Sequence, residues 1–235
     1  MKLCVLGAGS WGIALSLHLK RAGHDITLWE YDASKAGQLA QTREDKKLLP
    51  GILLPREIAV TSDMAQALSG REGVVMAVPS HGVRSTMDLA VPAWPRGAWV
   101  VCASKGLEES SHLRMSEVLK QSLKKDASIA VISGPSHAEE VSRKMPTTVV
   151  AASDDEKLSE TVQAAFHSDY FRVYTSKDLT GVELGGALKN VIAIAAGITD
   201  GLGLGDNTKA AIMTRGLHEM TRLAVALGAQ ASTFS

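Results

Sequence analysis

Short β-rich runs separated by helical stretches recur along most of this chain, and that alternation constrains its fold more than any other feature. The runs are KLCVL (2–6), DITLW (25–29), GVVMAV (73–78), AWVVCAS (98–104), SIAVIS (128–133), TTVVAA (147–152) and FRVY (171–174). Stretches such as WGIALSLHLKRAG and SSHLRMSEVLKQSLKK fill the gaps with helical spacing. Parallel strands cannot be joined by hairpins; each needs a crossover, usually a helix, and the helices then cover both faces of the sheet. The pattern predicts an α/β fold, a doubly wound and mostly parallel sheet, over residues 1–178.

Beyond Lys177 no further strand-like run occurs. Thr180 and Glu183 have capping-box spacing, which predicts a helix over about 181–198. The segment DGLGLGDN reads as an inter-helix turn in which Gly supplies positive φ and Asp206 or Asn207 caps the second helix. Ile212, Leu217, Met220, Leu223 and Leu227 then keep helical spacing through about 208–227. Two helices cannot bury their apolar faces alone, so 179–235 reads as the start of an all-helical domain.

Composition removes several function classes. Lys plus Arg equals Asp plus Glu at 25 each, so nothing points to nucleic acid or an anionic membrane surface. Cys4 and Cys102 lie in apolar runs without CxxC spacing, which favours two reduced thiols in a cytoplasmic protein. Three glycines interrupt the apolar N-terminal run, against a signal peptide, and no uninterrupted apolar segment is long enough to predict a membrane span. The seven histidines show no spacing that reads as a metal site.

GAGSWG, Gly7 to Gly12, leaves a strand and opens a helix. Gly7 would make the tight turn, Gly9 would let backbone approach a pyrophosphate, and Gly12 would allow close helix–strand packing. The phosphates would face the helix N-terminus. Glu30, at the end of the next strand, can accept from adenosine ribose hydroxyls and repels a 2′-phosphate. Tyr31 and Asp32 supply no cation, so NAD is favoured over NADP unless Glu30 points away and Lys35 or Arg43 compensates. ASKGLE places Lys105 after a strand, where residues look into the ligand crevice. GPSHAEEV likewise puts Ser136 and a short helix's amides toward an anionic or hydroxylated substrate, with a simple Ser136-capped helix as the alternative.

The sharpest candidate is Lys189. In GVELGGALKNVIAIAAGITDG it is the single charge between Glu183 and Asp200, in a run that reads as helix buried on every side. Such a lysine must neutralise, find a partner or serve a purpose. Gly185, Ala193, Ala196 and Gly197 on the same face leave room for a ligand. Gly185 and Gly186 each cost a helix about 0.8–1 kcal/mol relative to Ala, which implies close approach of another element.

Together, GAGSWG, ASKG, GPSHAEEV and GVELGGALKNVIAIAAGITDGLGLGDNTKAAIMTRGLHEM closely resemble bacterial-type NAD(P)-dependent glycerol-3-phosphate dehydrogenase, over the whole of 1–235. The resemblance implies a Rossmann domain followed by a helical substrate domain. It implies interconversion of dihydroxyacetone phosphate and sn-glycerol 3-phosphate with NAD or NADP, feeding glycerophospholipid synthesis, in a cytoplasmic homodimer. Lys189 then matches the catalytic lysine. Lys105, Gly134, Ser136 and Asn190 match substrate contacts, and Ser10, Trp11, Lys105 and Ala138 match cofactor contacts. Many members carry a small and then a basic residue where this chain has Glu30 and Tyr31, which departs from the usual NADPH preference. The family pattern also continues past Ser235 through an Asp-containing segment and an Arg–Asn pair that grip phosphate and cofactor, so truncation at the C-terminus is expected. The alternatives are a β-hydroxyacid dehydrogenase, which shares the domain type and a catalytic lysine, and a non-catalytic dinucleotide-binding module.

Overall fold

The computed structural model describes residues 1–124 and 128–234; Lys125, the last residue of the helical stretch SSHLRMSEVLKQSLKK, and Ser235 lie outside them. Strands and helices alternate as β1 (Lys2–Leu6), α1 (Ser10–Arg21), β2 (Asp25–Trp29), α2 (Ala33–Thr42), β3 (Ala59–Thr61), α3 (Met64–Leu68), β4 (Gly73–Met76) and α4 (Val83–Ala90). The chain continues through β5 (Trp99–Cys102), α5 (Met115–Leu123), β6 (Ile129–Ser133), α6 (Ala138–Ser142), β7 (Thr147–Ala152), α7 (Glu156–Phe166) and β8 (Phe171–Ser176). The strands form one sheet in the order β3-β2-β1-β4-β5-β6-β7-β8, parallel at every junction except β6–β7. This is the expected Rossmann-like, mostly parallel sheet. The edge strand β3 escaped the sequence reading because AVT is three residues long and only partly buried, too short to show alternation.

Alternation along the strands sorts side chains onto two cores. Leu3, Val5, Val75 and Val101 face one, with Ile13 and Leu19 of α1 and Val162 and Phe166 of α7. Cys4, Leu6, Val74, Met76 and Val100 face the other, with Met87 of α4 and Leu119 of α5. Both thiols are free and buried, and burial pushes each up to about 12, which leaves them inert at neutral pH.

One polar side chain is sealed inside this packing. His18 on α1 is fully buried. Its Nε2–H donates to the Phe166 carbonyl at 2.7 Å and its Nδ1 accepts from the Tyr170 hydroxyl at 3.0 Å, an assignment that fits the neutral ring. Burial lowers its pKa to about 4, with the Phe166 carbonyl opposing and Arg21 and His24 adding to the depression. Between the unfolded value near 6.5 and about 4, the unfolded chain binds the proton and the folded chain does not, so stability falls as pH falls through that window. The loss from this residue should reach about 3 kcal/mol. Urea midpoints from pH 7 to 4 should fall less steeply for His18→Gln than for the unsubstituted chain; parallel curves would rule the residue out as the cause.

After β8 come α8 (Leu179–Gly201) and α9 (Gly205–Ala226), longer by two to three residues at several ends than the spacing predicted. The predicted capping box is replaced by another device. Asp178 caps α8, accepting from the Gly181 amide at 2.9 Å, and its other oxygen accepts from Gln230 N–H and Thr233 Oγ1 at 2.9 and 2.6 Å. Glu183 is thereby released for a different task. Gly203 supplies positive φ in the inter-helix turn as expected, but α9 starts at Gly205 behind Leu204, ahead of both proposed caps, Asp206 and Asn207.

The expectation that the run around Lys189 is buried on every side does not hold. Gly181, Val182, Leu184 and Gly186 are buried, whereas Val191, Ile194 and Ile198 are more than half exposed. Among the described residues, α8 packs on α9, β6, β7 and the C-terminal turn, which leave much of its second half exposed. By length and composition α8 could cross a membrane, yet its interior charges Glu183 and Lys189 are bonded to α5 and to the loop after β6.

Candidate active site

The order of strands reverses between β1 and β4, and the loops leaving β1, β4, β5 and β6 gather at that end of the sheet. Ligands of open α/β sheets bind there. The first loop is GAGSWG. Gly7 sits at φ +107°, and its N–H donates to the Trp29 carbonyl at 2.9 Å. A Cβ on Gly12 would land on the Gly7 carbonyl oxygen, so α1 can pack this close only without one. Above Gly9 a Cβ would meet nothing within 4 Å, and Gly9 caps α1 without any side-chain acceptor. No side chain among the described residues caps the first amides of α1, which suits an anion site at the helix N-terminus.

Trp11 adds a second sign of a missing acceptor. Among the described residues its buried Nε1–H has no hydrogen-bond partner, which a folded chain seldom tolerates unless a ligand or water completes the site. The indole lines a groove of about 490 Å³ with Gly9, Ser10, Lys105, Ser136 and Ala138. These residues fit a bound dinucleotide.

Two lysines converge at the far side of this groove. Lys105 lies over the Trp11 ring, 5.3 Å from its centroid, and donates to Ser136 Oγ at 3.2 Å. Ser136 Oγ in turn donates to the Gly134 carbonyl at 3.2 Å, and Lys189 Nζ donates to the same carbonyl at 2.8 Å. Burial lowers Lys105 to about 8, helped by the charge of Lys189, and burial also lowers Lys189. Of the three options for the lone lysine, partnership is therefore met by a neutral carbonyl, and among the described residues no carboxylate pairs with it. The Gly186 expectation of close approach is met too, since a Cβ there would come 2.5 Å from Ser133 Oγ.

Other expected residues fall as follows. Ser136 is not a helix cap, because α6 begins at Ala138 behind His137, freeing the hydroxyl for Lys105. Asn190 follows Lys189 but is exposed and has no hydrogen bond to the Gly134 turn. Tyr31 is exposed, with its ring edge toward Trp29. Glu30 does not stand alone: Lys35 Nζ is 3.2 Å from its Oε2 and 3.3 Å from the Ala8 carbonyl. Sequence reasoning missed Ser104, the second residue of ASKG, whose Oγ donates to Val78 O at 2.5 Å and ties the β5 loop to the β4 loop. It also missed the clamp behind Lys189. Glu183 accepts from Arg114 Nη1 at 2.7 Å and from Ser116 N–H and Oγ at 2.8 and 2.5 Å.

A glycine-rich strand–helix turn at the switch point, with paired ammonium groups beyond it, defines a dinucleotide-dependent oxidoreductase of the dehydrogenase type. Residues 2–159 match the family described as NAD-dependent glycerol-3-phosphate dehydrogenase N-terminus, and 178–235 match its C-terminus counterpart. The chain belongs to the NAD-dependent glycerol-3-phosphate dehydrogenase family. It is 53% identical to a glycerol-3-phosphate dehydrogenase [NAD(P)+] from Thermoanaerobacter sp. (strain X514), covering 100% of this chain and 70% of that one. A relative of the same name from Geobacter sp. (strain M21) is 50% identical, with the same coverage. The crystal structure of glycerol-3-phosphate dehydrogenase from Coxiella burnetii superposes with a TM-score of 0.93 at 37% identity, over 99% of this chain and 71% of that chain.

Proposed function

We propose that the chain interconverts dihydroxyacetone phosphate and sn-glycerol 3-phosphate, with Lys189 and Lys105 as the working cations. The observation that carries the residue assignment is the convergence of both ammonium groups on the Gly134–Ser136 turn at the groove of the dinucleotide loop. Family membership carries the reaction, and the reaction supplies the backbone of glycerophospholipids. Gly7, Gly9, Ser10, Trp11, Gly12 and Ala138 would hold a nicotinamide dinucleotide, which would supply hydride for C2 of the ketone or accept it in the reverse direction.

The C2 oxygen gains charge as the carbon gains hydride, and it needs a proton at that moment. Lys189 donates it in reduction and, as the neutral amine, removes it in oxidation. Its half-buried setting and the neighbouring Lys105 favour giving the proton up. Lys105, fixed by Trp11 and Ser136, holds a second positive charge where the oxyanion or the substrate phosphate lies. Gly134 contributes a carbonyl that aims Lys189, and Ser136 a hydroxyl for the substrate. A cytoplasmic location and pairing into a homodimer belong to the same reading, supported by two buried free thiols and by the exposed apolar flank of α8.

Mixing the chain with NADH or NADPH and dihydroxyacetone phosphate should consume the reduced cofactor with formation of glycerol 3-phosphate, followed by absorbance and product assay. Turnover of a β-hydroxyacid in place of glycerol 3-phosphate would overturn the substrate assignment. Cofactor bound but never oxidised would leave the chain a binding module.

A further inference from the structure

The cation paired with the expected ribose-reading carboxylate is Lys35, and its position changes what Glu30 means. Glu30 directly follows β2, its side chain is only 12% exposed, and it accepts from the Asp32 amide at 3.2 Å on one oxygen and from Lys35 Nζ on the other. Lys35 also reaches the Ala8 carbonyl inside the GAGSWG loop, so its ammonium bridges the phosphate loop and the ribose-reading carboxylate. Arg43, the other cation in range by sequence, is committed elsewhere: its guanidinium donates to the carbonyls of Leu54, Pro55 and Ile58.

The groove beside Lys35 holds two further lysines and two acids. It measures about 480 Å³ and includes Gln38, Thr42, Lys46 and Lys47 in its lining. Its two acids are occupied with backbone, Glu44 accepting from the Gly51 amide and Asp45 from the Lys47 and Leu48 amides. Among the described residues, Lys46 and Lys47 form no salt bridge.

We propose that Lys35 is the residue by which this site accepts a 2′-phosphorylated dinucleotide. With a 2′-hydroxyl in place, Lys35 stays on Glu30 and the carboxylate accepts from the ribose. With a 2′-phosphate in place, the ammonium turns from Glu30 to the phosphate, and the flexible four-carbon stem makes that swing without moving α2. Glu30 alone would repel the phosphate; Glu30 paired with Lys35 presents no net charge. The NAD preference read from Glu30 is therefore reduced, and the chain uses both cofactors. This proposal rests on the dinucleotide reading of the GAGSWG loop.

The test uses fragments that carry only the adenosine end, ADP-ribose and 2′-phospho-ADP-ribose, titrated calorimetrically into the unsubstituted chain, Lys35→Gln and Lys35→Arg. A lost charge-assisted bond should weaken 2′-phospho-ADP-ribose about 10- to 100-fold in Lys35→Gln. ADP-ribose should change less than about threefold, and Lys35→Arg should restore most of the loss. Equal weakening of both fragments would make Lys35 a mere prop for the loop and overturn the proposal. So would unchanged binding of the phosphorylated one. If the unsubstituted chain binds neither fragment, the dinucleotide reading itself fails and this proposal with it.

Discussion

Lys189→Ala is expected to lower kcat for reduction of dihydroxyacetone phosphate by about 10³-fold or more, within the range that loss of a general acid produces. Binding of NADH, read by quenching of tryptophan fluorescence, should stay within about twofold, because no cradle residue touches Lys189 Nζ. Lys189→Arg should rescue little, since a guanidinium keeps its proton at any working pH. Turnover retained in the alanine variant would remove Lys189 from the chemistry. Turnover restored by arginine would reduce its role to that of a fixed charge. The carbonyl of Gly134 explains why both substitutions can fold: it keeps the Ser136 hydroxyl as a donor, and the turn borders a groove where water can replace an ammonium.

Glu183→Ala should destabilise the fold by about 3–5 kcal/mol, the range for removing one partner of a buried, hydrogen-bonded ion pair. Its carboxylate is 8% exposed, and three bonds from Arg114 and Ser116 end on it. Burial pushes its pKa up, while the bonds from Ser116 and the Arg114 charge pull back. Glu183→Gln keeps one acceptor for the Ser116 amide and should cost less. Urea unfolding of the two variants checks the order; a loss below about 1 kcal/mol for alanine would show the clamp to be structurally idle. Because α8 carries both Glu183 and Lys189, the alanine variant should also lose activity beyond what its folded fraction explains.

The sheet was legible because a buried parallel strand writes its name in β-branched residues, and the runs at Lys2, Asp25 and Thr147 marked those strands to the residue. The reversal of β7 against β6 was not legible, since the side-chain alternation along TTVVAA reads the same whichever way the strand runs. The glycine loop and Lys189 stood out as local patterns. The Lys35–Glu30 pair spans only five positions, yet its meaning depends on the Ala8 carbonyl reached across the loop. The Arg114–Glu183 clamp joins residues 69 apart, and nothing in either neighbourhood announces the other. Glu183 misled for a specific reason: it stands at capping-box distance from Thr180, but Asp178, two residues before Thr180, caps the helix and ties down the C-terminal turn as well.

That knot at Asp178 has a dynamic consequence. Opening the first turns of α8 breaks the aspartate's three bonds, the Glu183 clamp and the contact of Gly186 with Ser133, whereas the turns after Asn190 are mostly exposed and can open piecemeal. Amide exchange along this single helix should therefore run from slow to fast, with the break close to Lys189. The lysine rides on the last turn that the sheet holds still, so the distal end can flex, swing or take up a neighbour without carrying the ammonium away from its groove.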